Sequence, residues 1–289
     1  MPQYITTNVT SLQAQNNLDK SSTNLAKSLE RLSSGQRINS ASDDAAGMAI
    51  ASRMTAQIRG MDMAKRNTQD GISLVQTAEG AMGVQVEQLQ RTRELSVQAS
   101  NGMLSFEDRT KLNTEAVALM DELNSIATET NFNGNKLLDG AVASMVVQVG
   151  ANQGETRTVN FVDTTAATLG VAGESFGTEV LSNAGTTAGK INLQNVTNAS
   201  AAITVIDSAL DSVQSGRSNM GAYQNRLEQS ISNLDVSINN VSASRGRIQD
   251  ADFAKETADM TKNQILAQAG VAMLSQANQL PQNVLSLIR

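Results

Sequence analysis

The sequence predicts a mainly α-helical protein, a long antiparallel helical hairpin or coiled-coil bundle with a small β-hairpin region in the middle of the chain. Three observations carry this. Leu227, Ile231, Leu234, Ile238 and Val241 succeed one another at steps of four, three, four and three, with Ile248 one heptad after Val241, which is the spacing of an a/d seam. Proline occurs only at Pro2 and Pro281, so none interrupts a helix between them. The apolar residues are mostly Ala, Leu, Val, Ile and Met, with five Phe, two Tyr and no Trp. Such a set suits thin helix-to-helix seams better than the thick core of a compact enzyme.

The stretch Met220–Ile248 has no glycine between Gly221 and Gly246. It predicts a helix of roughly 40 Å at 1.5 Å per residue. An isolated helix of this kind is marginal in water, and one apolar stripe cannot bury itself, so other segments must lie alongside. The amino-terminal segment supplies one: Ile5, Val9 and Leu12 share a helical face, and Leu18, Leu25, Leu29 and Leu32 continue a heptad-like stripe to Ser33. The carboxy-terminal segment supplies another, with Leu274 in its seam. Between Lys262 and Arg289 it has no charged side chain, but many amides. Like charges brought together in a desolvated place are costly, so charge-free amphipathic ends suit a setting where many copies crowd together.

Ser33-Ser34-Gly35 predicts the end of the first helix, and Ser40–Asp44 the N-cap of the next. Asp44–Gly102 reads as mostly helical despite Gly47, Gly60, Gly71, Gly80 and Gly83, which suggests close backbone approaches, with Ile72, Val75, Met82, Val86 and Leu89 as its later stripe. Leu112, Ala116, Leu119, Leu123 and Ile126 mark a third helix, capped at Ser105 and folded back on its predecessor. Met145, Val147 and Val149 alternate, Gly150–Gly154 turns, and Thr156–Val162 alternates again, which predicts a hairpin. Thr164–Gly189 reads as an exposed connection, and a helix resumes around Ala199 with Ile203, Ile206, Leu210 and Val213.

Without Cys or His the chain can form no disulfide, no thiolate or imidazole metal site, and no Ser-His or Cys-His nucleophile pair. No phosphate-cradling loop or nucleophile elbow is present, so no enzyme and no cofactor are expected. A net charge of −6 argues against nucleic acid as a partner. The absence of a long apolar run argues against a membrane span, and the amino terminus lacks the pattern of a cleaved signal peptide.

Five stretches resemble bacterial flagellin: LERLSSGQRINSASDDAAGMAIASRM (29–54), RNTQDGISLVQTAEGAM (66–82), GAYQNRLEQSISNL (221–234), SRGRIQDADFAKETADMTKNQIL (244–266) and QAGVAMLSQANQLPQNVLSLIR (268–289). The resemblance implies a subunit that polymerises into the flagellar filament for swimming, located outside the cell after unfolded export by the flagellar type III apparatus. Its paired termini, 1–44 and 245–289, would form an inner coiled-coil domain; 45–140 and 196–244 an outer helical domain; and 141–195 a variable hairpin and exposed connection. Implied partners are other copies of the chain, a secretion chaperone held within Ala258–Arg289, and the filament cap and hook-junction proteins. A hook-filament junction protein or a filament-displayed adhesin is the alternative.

QRTRELSVQASNG (90–102) also resembles the stretch by which many flagellins engage a Toll-like receptor of animal hosts. The resemblance places Gln90, Arg91 and Glu94 in that contact, with Arg91 as the central guanidinium, Leu95 as the apolar contact and Glu115 as a supporting carboxylate. Arg91, Arg93 and Glu94 read equally as a solvated face with weak ion pairs. Leu285, Leu287 and Ile288 resemble a segment sensed by cytosolic innate receptors. Sugars, where the family carries them, would fall in Thr164–Thr187.

Overall fold

The computed structural model describes residues 7–173 and 190–288, with side chains described except at 173, 190 and 280–288. Its elements in chain order are α1 (Val9–Ser34), α2 (Ala45–Ala99), α3 (Phe106–Glu129), β1 (Asn131–Phe132), β2 (Asn135–Lys136), β3 (Ser144–Gln148), β4 (Thr156–Asn160), β5 (Ala172–Gly173), β6 (Lys190–Ile191), α4 (Val196–Gln249) and α5 (Phe253–Ile288). The chain is mainly helical with short two-stranded sheets. It divides into two compact units, 1–58 with 239–289 and 59–238.

The punctuation follows local chemistry. Asn8 caps α1 through Oδ1, which accepts from Ser11 N–H at 3.1 Å, and Gly35 ends it in the left-handed conformation at φ 69°. Asp44 Oδ1 accepts from Gly47 N–H at 2.8 Å at the start of α2. Ser105 caps α3 by accepting from Asp108 N–H at 3.2 Å.

In the 59–238 unit the inward face of α2 is centred on Met61, Ala64, Thr68, Gly71, Val75, Ala78, Met82, Gln85, Leu89, Thr92, Ser96 and Ala99, an unbroken alternation of threes and fours, with Leu74, Val86 and Leu95 buried beside them. The inward face of α4 keeps the same beat through Ala199, Ala202, Ile206, Ala209, Val213, Gly216, Met220, Leu227 and Leu234, and α3 keeps it through Asn113, Ala116, Met120, Leu123 and Ala127. The buried faces therefore run beside many of the bulky residues that mark the period. Ile203, Leu210, Leu112 and Leu119 are only half-buried, and Ala202, Ala209, Asn113 and Met120 occupy the seam instead. The hydroxyl members are satisfied within the helix: Thr68 donates to Ala64 O at 2.7 Å, Thr92 to Gln88 O at 2.9 Å and Ser96 to Thr92 O at 2.8 Å.

Cross-helix pairs fix the register. Arg93 meets Asp207 at 2.6 Å, Glu79 meets Arg217 at 3.1 Å and Lys65 meets Asp235 at 2.7 Å, so α4 runs antiparallel to α2 without slippage. Gln85 Nε2 donates to Leu123 O at 3.2 Å and Arg91 meets Glu115 at 2.9 Å, which sets α3 antiparallel to α2. β3 and β4 form an antiparallel hairpin pairing Met145 with Val159 and Val147 with Arg157. It lies on the helices where Gly71 leaves room: a Cβ there would stand 3.1 Å from Val147 and 3.5 Å from Leu227.

The connection predicted to be exposed is in part core. Thr164, Ala166, Val171, Ile191 and Leu193 are buried, because Thr164 N–H donates to Leu138 O at 2.9 Å and Leu193 N–H to Asn113 Oδ1 at 2.8 Å, drawing both flanks onto the helices. Residues 174–189 lie outside the described part.

Candidate functional site

In the 1–58/239–289 unit, α1 and α5 pack antiparallel. Asn8 Nδ2 donates to Ala277 O at 2.8 Å, Ser11 Oγ to Asn278 Oδ1 at 2.7 Å, and Arg31 pairs with the buried Glu256 at 3.1 Å. Gly270 receives Leu18, whose Cδ1 would lie 3.3 Å from a Cβ added there. The connection returning to α5 is held by Arg37 N–H to Gln249 O at 2.7 Å and Ala251 N–H to Gly35 O at 3.0 Å.

The inward face of α1 is Ser11, Ala14, Leu18, Ser21, Leu25, Ser28 and Leu32, and that of α5 is Glu256, Met260, Asn263, Ala267, Gly270, Leu274 and Ala277. Both keep heptad spacing. Leu18, Leu25, Leu32 and Leu274 are thus on the facing sides of α1 and α5, half-buried; along α4, Ile231, Ile238, Val241 and Ile248 are half-buried, and Leu227 and Leu234 are buried.

Three residues assigned to the assembly seam from the sequence do not face α5 within one chain. Val9, Leu12 and Leu29 are 58%, 52% and 50% exposed. They are out of phase with a face on which Ser and Ala alternate with Leu18, Leu25 and Leu32. Ile5 lies outside the described residues. The backbone of Leu285, Leu287 and Ile288 belongs to α5, and their side chains lie outside the described part.

Gln90, Arg91, Glu94 and Glu115 form an exposed cluster on α2 and α3. Arg91 Nη1 meets Glu94 Oε2 at 2.9 Å, and its Nε and Nη2 reach Glu115 Oε1 at 3.2 and 2.9 Å. Glu115 first, then Glu94, raises the Arg91 pKa, and Asp207 does the same for neighbouring Arg93. These are solvated pairs of small energetic value.

Leu95 does not join them. It is 1% exposed and packed in the core, because its position falls on the inward face beside Thr92, Ser96 and Ala99. An apolar contact with an outside partner cannot come from it without unpacking the helices. Thr164, the first residue of the stretch expected to carry sugars, is also buried.

Among the described residues no group of His, Cys, Asp or Glu could hold a metal ion, and no helix is long and apolar enough to cross a membrane.

A family model for the bacterial flagellin N-terminal helical region matches residues 5–143, and one for the bacterial flagellin C-terminal helical region matches residues 203–288. The chain is 45% identical to a flagellin of Halalkalibacterium halodurans, over 98% of each chain. It is 41% identical to the flagellar filament 33 kDa core protein of Treponema phagedenis, again over 98% of each. A solved flagellar hook-associated protein of Vibrio parahaemolyticus shares the fold at a TM-score of 0.57, covering 72% of this chain and all of that one, at 17% identity.

Proposed function

The chain belongs to the bacterial flagellin family, and from that premise we propose that it is the repeating subunit of a flagellar filament, with the α1–α5 pair as its principal assembly element. The observation that carries the reading is the exposed apolar surface of this pair. Val9, Leu12 and Leu29 on α1, and Ile265, Leu266, Val271 and Met273 on α5, face solvent in a single chain. So much exposed apolar surface on two thin helices marks an interaction site. Other copies of the same chain would cover it, and the absence of charged side chains from residues 1–18 and 263–288 removes repulsion that would oppose their crowding there.

The inner domain would be 1–44 with 245–289, and the outer helical domain 45–140 with 196–244. The test is polymerisation of purified protein carrying Leu12→Ser, Leu29→Ser and Val271→Ser. These exposed positions contribute little to the fold of one chain, so helix content should hold while filament formation fails. Filaments of ordinary length and yield would refute the assignment.

Export through the type III apparatus is supported by the family, and the chaperone would bind within Ala258–Arg289, where Ile265, Leu266, Val271 and Met273 offer an apolar helical stripe. Recognition by a host Toll-like receptor would rest on Gln90, Arg91, Glu94 and Glu115, an exposed and preorganised polar cluster. Leu95 would act beneath it as support. Arg91→Ala with Glu115→Ala should abolish receptor signalling and leave polymerisation intact.

A further inference from the structure

On the 59–238 unit, β4 and α4 enclose a surface cleft of about 450 Å³ lined by Arg157, Arg226, Gln229, Ser230 and Asn233. Arg157 sits opposite Val147 in the hairpin, on the strand face that packs toward the helices, so its guanidinium lies over α4 beside Arg226. Among the described residues neither arginine has a carboxylate partner. Arg157 Nη1 donates only to Thr156 O, at 3.2 Å. Two guanidinium groups with amide and hydroxyl donors around them form a receptor for carboxylates.

The same unit has the complementary surface elsewhere. From Glu115 to Glu129, α3 contains four carboxylates and no Lys or Arg. Glu115 is engaged by Arg91, whereas Asp121 and Glu122 are exposed and take no part in the ion pairs of the described residues. These two patches are out of each other's reach in one chain. Arg226–Asn233 stands beside α2 near Gly71, as the Leu227 contact shows, while Asp121 and Glu122 stand near Gln85, as the Gln85–Leu123 bond shows. The offset along α2, from Gly71 to Gln85, is about 20 Å at 1.5 Å per residue.

We propose that the Arg157–Arg226 cleft receives Asp121 and Glu122 of a second copy of this chain. Two different patches that complement each other make a heterologous contact, which does not close on itself and propagates copy after copy. The inference rests on the filament reading and names one of its contacts: a neighbour displaced along the helix axis by about the offset above.

The test uses two full-length variants, Arg157→Glu with Arg226→Glu, and Asp121→Lys with Glu122→Lys. All four positions are exposed, so the folded monomer should be retained, as circular dichroism would verify. The milder Arg226→Gln stands in if a reversed chain loses helicity. Each variant alone should need about tenfold more protein, or higher, before filaments form, because like charges would face each other at every contact. An equimolar mixture should polymerise at close to the wild-type concentration, since every cleft then meets an opposite charge. Variants that assemble like wild type overturn the proposal, and so does a mixture that recovers nothing. Binding of inorganic phosphate to wild type but not to Arg226→Gln, with assembly unaffected by the reversals, would make the cleft a small-anion site and also overturn it. Wild-type protein that forms no filaments would strike the filament reading itself.

Discussion

Asn8 Nδ2 donates to the main-chain oxygen of Ala277 at 2.8 Å, and Ala277 is the residue whose helical partner four positions on, Pro281, has no N–H to give. The helix α5 nevertheless runs on to Ile288. The same Asn8 accepts from Ser11 N–H through Oδ1. One amide thus caps the first turn of α1 and fills the acceptor that proline leaves open in α5, tying the two ends of the chain together.

Two substitutions separate these roles. Asn8→Asp keeps the cap and loses the donor; Asn8→Ala loses both, with roughly 1 kcal/mol expected for the cap alone. Pro281→Ala restores an N–H to Ala277, so Asn8→Ala should cost less in that background. Thermal unfolding of the four combinations measures the coupling, and strict additivity would deny it.

Leu274→Glu should abolish polymerisation while leaving the 59–238 unit folded. Leu274 sits half-buried in the α5 seam, and an unpaired carboxylate there costs several kcal/mol. Sedimentation and circular dichroism read the two halves of this expectation separately, and filaments from the variant would contradict it.

The period of the helices was legible in the sequence and their phase only in part: Val75, Met82, Leu89, Leu123, Ile206, Val213 and Leu227 are buried as their spacing predicts. Steps of three and four mark α1, α2, α3 and α4, and proline scarcity allows their length. The faces that pack, however, also include small or polar residues such as Ser11, Ser28, Ala78, Thr92, Ala202 and Gly216, which a search for bulky apolar side chains passes over. Choosing the bulkiest residues therefore grouped Val9, Leu12 and Leu29 with the face that meets α5 inside one chain, and left Leu95 outside when it belongs inside. Burial of the connection at Thr164 and Leu193 depends on bonds to Leu138 and Asn113, residues far away in the chain, and local pattern cannot show such partners.

Glycines along α2 should divide by what surrounds them. Gly80 and Gly83 have nothing within 4 Å of an added Cβ, so alanine at either should stabilise the monomer by about 0.5–1 kcal/mol. A Cβ at Gly60 would stand 2.9 Å from that of Ala151, so Gly60→Ala should destabilise, since overpacking outweighs the gain in helix propensity. Thermal midpoints of the three variants decide it.

Acid should weaken the 59–238 unit through carboxylates held below their ordinary pKa, Asp108 and Asp163 among them. The Ser105 hydroxyl, donating to Asp108 Oδ2 at 2.7 Å, holds Asp108 below its ordinary pKa. Burial pushes Asp163 up, but Thr165 N–H at 2.9 Å and the Thr168 hydroxyl at 2.7 Å outweigh it and leave Asp163 lowered. A carboxylate depressed in the folded state contributes stability that is present above its unfolded pKa and lost as pH falls through the folded one. Asp163→Asn should therefore flatten the fall in thermal midpoint between neutral pH and the acid side of the carboxylate range. An unchanged slope would rule this source out.

The most direct measurement is electron microscopy and sedimentation of the full-length chain beside a fragment spanning 45–244, both under salting-out conditions. Long uniform filaments from the full chain, with the fragment remaining monomeric and helical, are the predicted result: the α1–α5 pair drives assembly. Filaments from the fragment, or none from the full chain, would contradict it.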